Sequence, residues 1–273
     1  MYCVVESYSE GATEGFYGAG AAPAAAPADD YTRRVPSRLR DALVTTWGWT
    51  NIAVSTALFG TLAILTSWIP PRGRLYLFWA RNWAKSLLWL NGIPARIEIG
   101  QEAAGLPQAI YMSNHESGID ILLLLLSIRQ DVRFLAKREL FFVPFMGWSM
   151  WLAGFVPVDR RRTDKAKDVL SELDRRLASG ISILVFPEGT RSRDGVLGPF
   201  KKSGFLTALK SGVPVVPVAV SGARAVLGAQ GMIIRRGPVT ARVGSPIPTA
   251  GLGVHARADL MKRVRREILR LRG

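Results

Sequence analysis

Cysteine and histidine are almost absent from this chain: its 273 residues hold one cysteine, Cys3, and two histidines, His115 and His255. A lone cysteine excludes an intramolecular disulfide and any multi-cysteine zinc or iron–sulfur centre. His115 is followed by Glu116, but no second histidine completes an H-E-x-x-H pattern, so a zinc protease is excluded as well. No G-x-S-x-G elbow surrounds any serine, and no Gly-rich nucleotide fingerprint follows a strand pattern. Acidic residues are also scarce, with 21 Asp and Glu against 36 Lys and Arg, for a net charge of +15. Such a balance suits an anionic lipid, a phosphorylated substrate or a nucleic acid. The last is disfavoured, because aromatic and basic residues do not interleave on one strand or helix pattern.

Charge is missing altogether from residues 42 to 71, which contain LVTTWGWTNIAVSTALFGTLAILTSWIP. A bilayer crossing needs about 20 apolar residues, and Trp47, Trp49 and Trp68 stand where interfacial aromatics are expected. Residues 74 to 93 follow as an amphipathic helical pattern carrying Arg81 and Lys85, closed by Asn91-Gly92. Basic residues flank the apolar run on both sides, with Arg33, Arg34, Arg38 and Arg40 before and Arg72 and Arg74 after. The positive-inside rule therefore assigns no crossing direction, and a helix pair dipping into one leaflet is expected instead. Residues 1 to 32, rich in Gly, Ala and Pro, read as a disordered extension.

From residue 94 the texture becomes that of one α/β domain. ARIEI, AIYMS, VRFLA, GFVPVD, ISILVF, VPVVPVAV and PVTARVG read as strands, and IDILLLLLSIRQ, TDKAKDVLSELDRRLASG and SGFLTALKSG as helices between them. The alternation predicts a mostly parallel sheet flanked by helices, with functional residues in the loops beyond the strand ends. The expected organisation is thus 1–32 disordered, 33–93 a membrane-associated helix pair, and 94–273 the α/β domain.

His115 lies in the turn between the AIYMS strand pattern and the next helix, in the stretch SNHESGID, and Asp120 stands five residues on. Positions five apart diverge on a continuous helix, so the two meet only if His115 is in the turn and Asp120 in the first helical turn. An unpaired buried carboxylate is costly, so Asp120 would orient the imidazole and leave its other nitrogen to take a proton. Ser117 reads as a capping residue rather than a nucleophile. Cations recur after strand patterns: Lys137 and Arg138 in KREL, Arg160, Arg161 and Arg162 in VDRRR, Arg191 in FPEGTRS, then Lys201 and Lys202. In a parallel sheet such strand ends converge, building a phosphate site beside His115. Taken singly, Arg160, Arg161, Arg162, Lys201 and Lys202 read as solvated surface charges, whereas Lys137 and Arg191 follow buried-strand patterns. His255 precedes a basic helix, 257–273, and reads as a surface or capping residue.

The ordered set NHESGID, KREL, FPEGTRS and VPVVPVAV resembles the glycerolipid acyltransferases, most closely their bacterial 1-acylglycerol-3-phosphate acyltransferases, over about residues 75 to 250. The resemblance implies a general-base histidine, His115, oriented by Asp120. It implies acceptor-phosphate binding by Lys137 and Arg191, with Arg138, Glu188, Gly189 and Thr190 completing the substrate site. It implies transfer of a fatty acyl group from acyl-CoA or acyl carrier protein to lysophosphatidic acid, with no cofactor beyond that co-substrate. Other lysolipids, an ornithine lipid or a glycolipid are alternative acceptors, and a non-catalytic basic membrane-binding protein is the alternative of another class. The implied location is the cytoplasmic face of a bacterial inner membrane, monotopic and in contact with anionic lipid. The sequence assigns no oligomeric state.

Overall fold

Hydrophobic runs that alternate with helical patterns become, in the computed structural model, an eight-stranded sheet with helices on both faces. The structure describes residues 3–8, 38–69, 72–158, 166–228 and 231–273. In chain order the elements are β1 (Cys3–Tyr8), α1 (Arg38–Leu65), α2 (Arg72–Leu90), β2 (Ala95–Gly100), α3 (Gln101–Ala104), β3 (Ile110–Ser113), α4 (Ile119–Ser127) and β4 (Val132–Lys137). They continue with a 3-10 turn (Arg138–Phe142), α5 (Met146–Leu152), β5 (Val156–Val158), α6 (Ala166–Ala178), β6 (Ser182–Val185), α7 (Ser203–Ser211), β7 (Val215–Ser221), α8 (Ala223–Val226), β8 (Val239–Val243) and α9 (Arg257–Arg272).

The strand order is β1-β2-β8-β7-β3-β6-β4-β5, and every pairing is parallel except β7 with β8. Strands β3 and β6 are buried at every residue, as expected of central parallel strands covered on both faces. One face is packed by α2 and α4 through Leu77, Leu87, Leu88, Leu123 and Leu124. The other is packed by α6, α7 and α9 through Leu173, Phe205, Leu260, Val264 and Ile268. All seven strand expectations from residue 95 onward are present, and so are the three helices between them.

Three features differ from the sequence reading. Cys3–Tyr8, inside the segment expected to be disordered, forms edge strand β1 parallel to β2; its CVVESY carries the β-branched pair that suits a strand. The rest of 1–32 lies outside the described residues, as do Arg33, Arg34 and Arg160 to Arg162. Second, α2 does not form a unit separate from 94–273: Leu77, Ala84, Leu87 and Leu88 lie in the same core as β2 and α4. Third, Arg81 faces protein. Its guanidinium donates to the carbonyls of Leu125 (3.1 Å), Ile128 (2.7 Å), Arg129 (3.0 Å) and Gln130 (3.2 Å), closing the carbonyl end of α4.

Helix α1 contains a 27-residue stretch, Leu39–Leu65, that is long and apolar enough to cross a membrane. It runs antiparallel to α2, with Trp47 Nε1 donating to the Leu90 carbonyl (3.0 Å) and Trp83 Nε1 to Thr56 Oγ1 (3.2 Å). Gly48, Ser55, Gly60 and Ala63 are buried, whereas Leu39, Leu43, Trp47, Val54, Leu58 and Leu65 are all more than half exposed. At about 100° per residue the exposed six fall within one sector of roughly 100°, opposite the buried face.

Candidate active site

Strands β7, β3, β6 and β4 are neighbours and run with their carboxyl ends at one edge. The residues that follow them therefore meet: His115 after β3, Lys137 at the end of β4 and Arg191 beyond β6. Asp120 sits in the first turn of α4, fully buried, and its Oδ2 lies 2.7 Å from His115 Nδ1. The same oxygen accepts the backbone N–H groups of Glu116 (2.7 Å) and Ser117 (2.9 Å). An ionised carboxylate that already accepts two backbone N–H groups can only accept from the ring as well, which selects the tautomer with the proton on Nδ1 and the lone pair on Nε2. The His115 ring stacks on Phe186 at 3.9 Å and 15°, which fixes its plane.

The turn is fastened from three sides. Asn114 uses its amide to pair with Val220 of β7 in both directions, donating from Nδ2 (2.9 Å) and accepting at Oδ1 (2.8 Å). Glu188 accepts the His115 N–H (3.0 Å) with one oxygen and the Gly198 N–H (2.8 Å) with the other. Arg272, in the last turn of α9, donates to Glu116 Oε1 (2.7 Å) and to the Gly195 carbonyl (2.9 Å). Glu116 is buried; burial pushes its carboxyl above the usual carboxylate range, the Arg272 guanidinium pulls it back, and Asp120 pushes it up. The Ser117 hydroxyl donates to the Leu227 carbonyl (2.6 Å) and accepts the Ile119 N–H (3.2 Å), so it is engaged structurally at the helix start.

A cavity of about 850 Å³ opens on this turn, large enough for a small ligand or an acyl chain. His115, Lys137, Thr190, Arg191 and Arg193 supply its polar wall. Phe59, Gly60 and Ala63 of α1, Tyr76, Ala80 and Trp83 of α2, and Met146 and Met150 of α5 supply much of the apolar wall. A Cβ placed on Gly118 would stand 4.0 Å from Arg191 Nη2, which locates that guanidinium beside the turn. Lys137, about half exposed, pairs with Glu139 at 3.2 Å.

Of the expected site residues, the structure thus gathers His115, Asp120, Lys137, Thr190 and Arg191. Glu188 clamps backbone and borders a neighbouring cavity instead, and Arg138 is exposed outside the main cavity's wall. Gly189 turns the loop with φ +74°, and a Cβ there would sit 2.6 Å from Lys201 Cε. Three participants escaped the sequence reading. Phe186 was absorbed into a strand pattern, Arg193 lies two residues beyond Arg191 in the same loop and lines the cavity with it, and Arg272 is distant in sequence.

The description "Acyltransferase" fits a family model that matches residues 96–221, a span holding the dyad, both basic segments and β7. A 1-acyl-sn-glycerol-3-phosphate acyltransferase of Cocos nucifera is 31% identical over 217 residues, covering 79% of this chain and 67% of that one. A chloroplastic 1-acyl-sn-glycerol-3-phosphate acyltransferase of Brassica napus is 41% identical over 140 residues, covering 50% of this chain but only 40% of its own length. The crystal structure of the 1-acyl-sn-glycerophosphate (LPA) acyltransferase PlsC from Thermotoga maritima superposes with a TM-score of 0.74 at 24% identity, covering 85% of this chain and 94% of that one, a likeness of fold. The chain belongs to the acyltransferase family that contains the 1-acyl-sn-glycerol-3-phosphate acyltransferases.

Proposed function

We propose that this protein transfers a fatty acyl group from a thioester, acyl-CoA or acyl carrier protein, to the sn-2 hydroxyl of lysophosphatidic acid, forming phosphatidic acid. The observation that carries the reading is the buried 2.7 Å His115–Asp120 contact at the end of an apolar cavity whose wall includes Lys137, Arg191 and Arg193. His115 Nε2 takes the acceptor's hydroxyl proton as its oxygen attacks the thioester carbon. The tetrahedral intermediate then expels the thiolate, which recovers the proton from the imidazolium and leaves as thiol. A thioester is already activated, so no enzyme nucleophile is needed. Lys137, Arg191 and Arg193 meet the acceptor phosphate, for which the arginine fork is geometrically suited.

The membrane arrangement belongs to the same reading. Helix α1 is docked lengthwise, with Trp49 Nε1 bonded to the Met232 carbonyl (2.8 Å) at one level and Gly60 packed on Phe145 at another. A helix so held keeps its exposed apolar stripe for one leaflet instead of leaving the domain to cross two. The protein is accordingly monotopic, on the cytoplasmic face of a bacterial inner membrane, with anionic headgroups attracting its +15 charge.

The acceptor is tested by incubating detergent-purified protein with acyl-CoA and either lysophosphatidate or neutral and zwitterionic lysolipids. Lysophosphatidate is expected to turn over best. Arg191→Ala is expected to raise its KM roughly 10- to 100-fold, the loss of a charge-assisted hydrogen bond, with little change in kcat. An acceptor without a phosphate monoester that is used equally well, or an unchanged KM, would contradict the assignment.

A further inference from the structure

Between β4 and β5 the chain makes an excursion that the sheet does not require, the 3-10 turn Arg138–Phe142 followed by α5. Its outer surface is apolar and open: Phe142 is 72% exposed, Trp151 71% and Trp148 54%. Trp148, Trp151 and Leu152 follow i, i+3, i+4 spacing and share one side of α5, whereas Gly147, Ser149 and Met150 are buried. Tryptophans exposed side by side mark an interaction surface.

Three observations say what covers it. The excursion abuts α1: Phe145 adopts φ +62°, a strained conformation for an aromatic residue, and a Cβ on Gly60 would lie 2.8 Å from Phe145 Cβ. The open face of α5 therefore adjoins the helix that carries the apolar stripe. The exposed residues are Trp, Phe and Leu, entered through exposed Lys137 and Arg138, the composition of a bilayer–water boundary with cations at headgroup level. Finally, Met146 and Met150 of the same segment wall the cavity that holds His115.

We propose that Arg138–Leu152 is a second membrane-contact element, seated in the same leaflet as α1 and holding the catalytic cavity one helix away from lipid. The proposal rests on the reading of α1 as a leaflet-bound helix. An acidic protein partner would need cations at the centre of this face, whereas the centre is Trp148 and Trp151 and the cations stand only at its entry.

The test uses the full chain carrying Cys3→Ser and one new cysteine labelled with an environment-sensitive fluorophore. Trp151→Cys probes α5, with Phe142→Cys as the second site should the first variant fold poorly. Leu58→Cys probes the α1 stripe, and Leu269→Cys, on α9 across the sheet, serves as the control. Vesicles contain phosphatidylcholine, phosphatidylglycerol and acyl-chain nitroxide lipid. The α5 probe is expected to shift to the blue and be quenched to an extent comparable with Leu58→Cys, with Leu269→Cys unquenched. Quenching at Leu58→Cys alone overturns the proposal and leaves the α1 reading standing. Quenching at neither removes both. A blue shift of the α5 probe without lipid, on raising protein concentration or adding an acidic carrier protein, assigns the face to a protein partner and overturns the proposal.

Discussion

Glu116 links the catalytic turn to the far end of the chain, since its carboxylate receives Arg272 from the last turn of α9 at 2.7 Å. The residue directly follows His115, and its own backbone N–H donates to Asp120 Oδ2, so displacing it disturbs both members of the dyad. Burial raises the Glu116 carboxyl's pKa and Arg272 is the main group that lowers it. Arg272→Ala should therefore let Glu116 take up a proton at higher pH, and the acid limb of the kcat profile should move to higher pH. A fall in kcat on the order of 10-fold is expected with a smaller change in KM, because small misplacements of a catalytic group carry such costs. Arg272→Lys should restore part of it, as an ammonium keeps the positive charge beside Glu116 but sits on a shorter side chain without the planar guanidinium whose Nη2 donates to both Glu116 and the Gly195 carbonyl. A variant with an unshifted pH profile and simply less folded protein would make Arg272 structural only. The His115–Asp120 pair was legible because both residues sit on one short turn, where spacing constrains geometry. Arg272 acts on a residue 156 positions away, a relation that no local spacing encodes.

At the scale of elements, the β-branched and apolar runs of the central strands gave unambiguous signals, since a strand covered on both faces has no polar side to blur the pattern. Helix α2 was legible as a helix but not in its partners: Arg81 marked the charged side of an amphipathic pattern in sequence and closes α4 in the structure. The segment 138–152 was the least legible, because a five-residue 3-10 turn and a seven-residue helix are too short to show a period. Its junction with α1 depends on a position without a side chain. Gly60→Val inserts atoms where a Cβ already meets Phe145 backbone at 3.0 Å. Overpacking of this kind costs about 1 to 3 kcal/mol, which should lower Tm by roughly 2 to 12 °C. Because Gly60 also lines the cavity, the variant should lose activity on long-chain donors first. Unchanged Tm and unchanged chain-length preference would mean that α1 and α5 do not pack as described.

The whole molecule joins a parallel sheet, which delivers His115 and the cations to one edge, to an apolar helix that forms part of the cavity wall. One helix thus presents two surfaces: one side of α1 is exposed and apolar, and Phe59, Gly60 and Ala63 on its other side line the chamber. Every step of the proposed reaction passes through the His115 imidazole, so the most direct measurement compares wild-type and His115→Ala full-length protein in mixed micelles with acyl-CoA and lysophosphatidate. Phosphatidate formation is expected to fall about 10²- to 10⁴-fold in the variant, the usual worth of a general base, with Tm and far-ultraviolet circular dichroism unchanged. A folded His115→Ala protein that makes phosphatidate at the wild-type rate would contradict the mechanism.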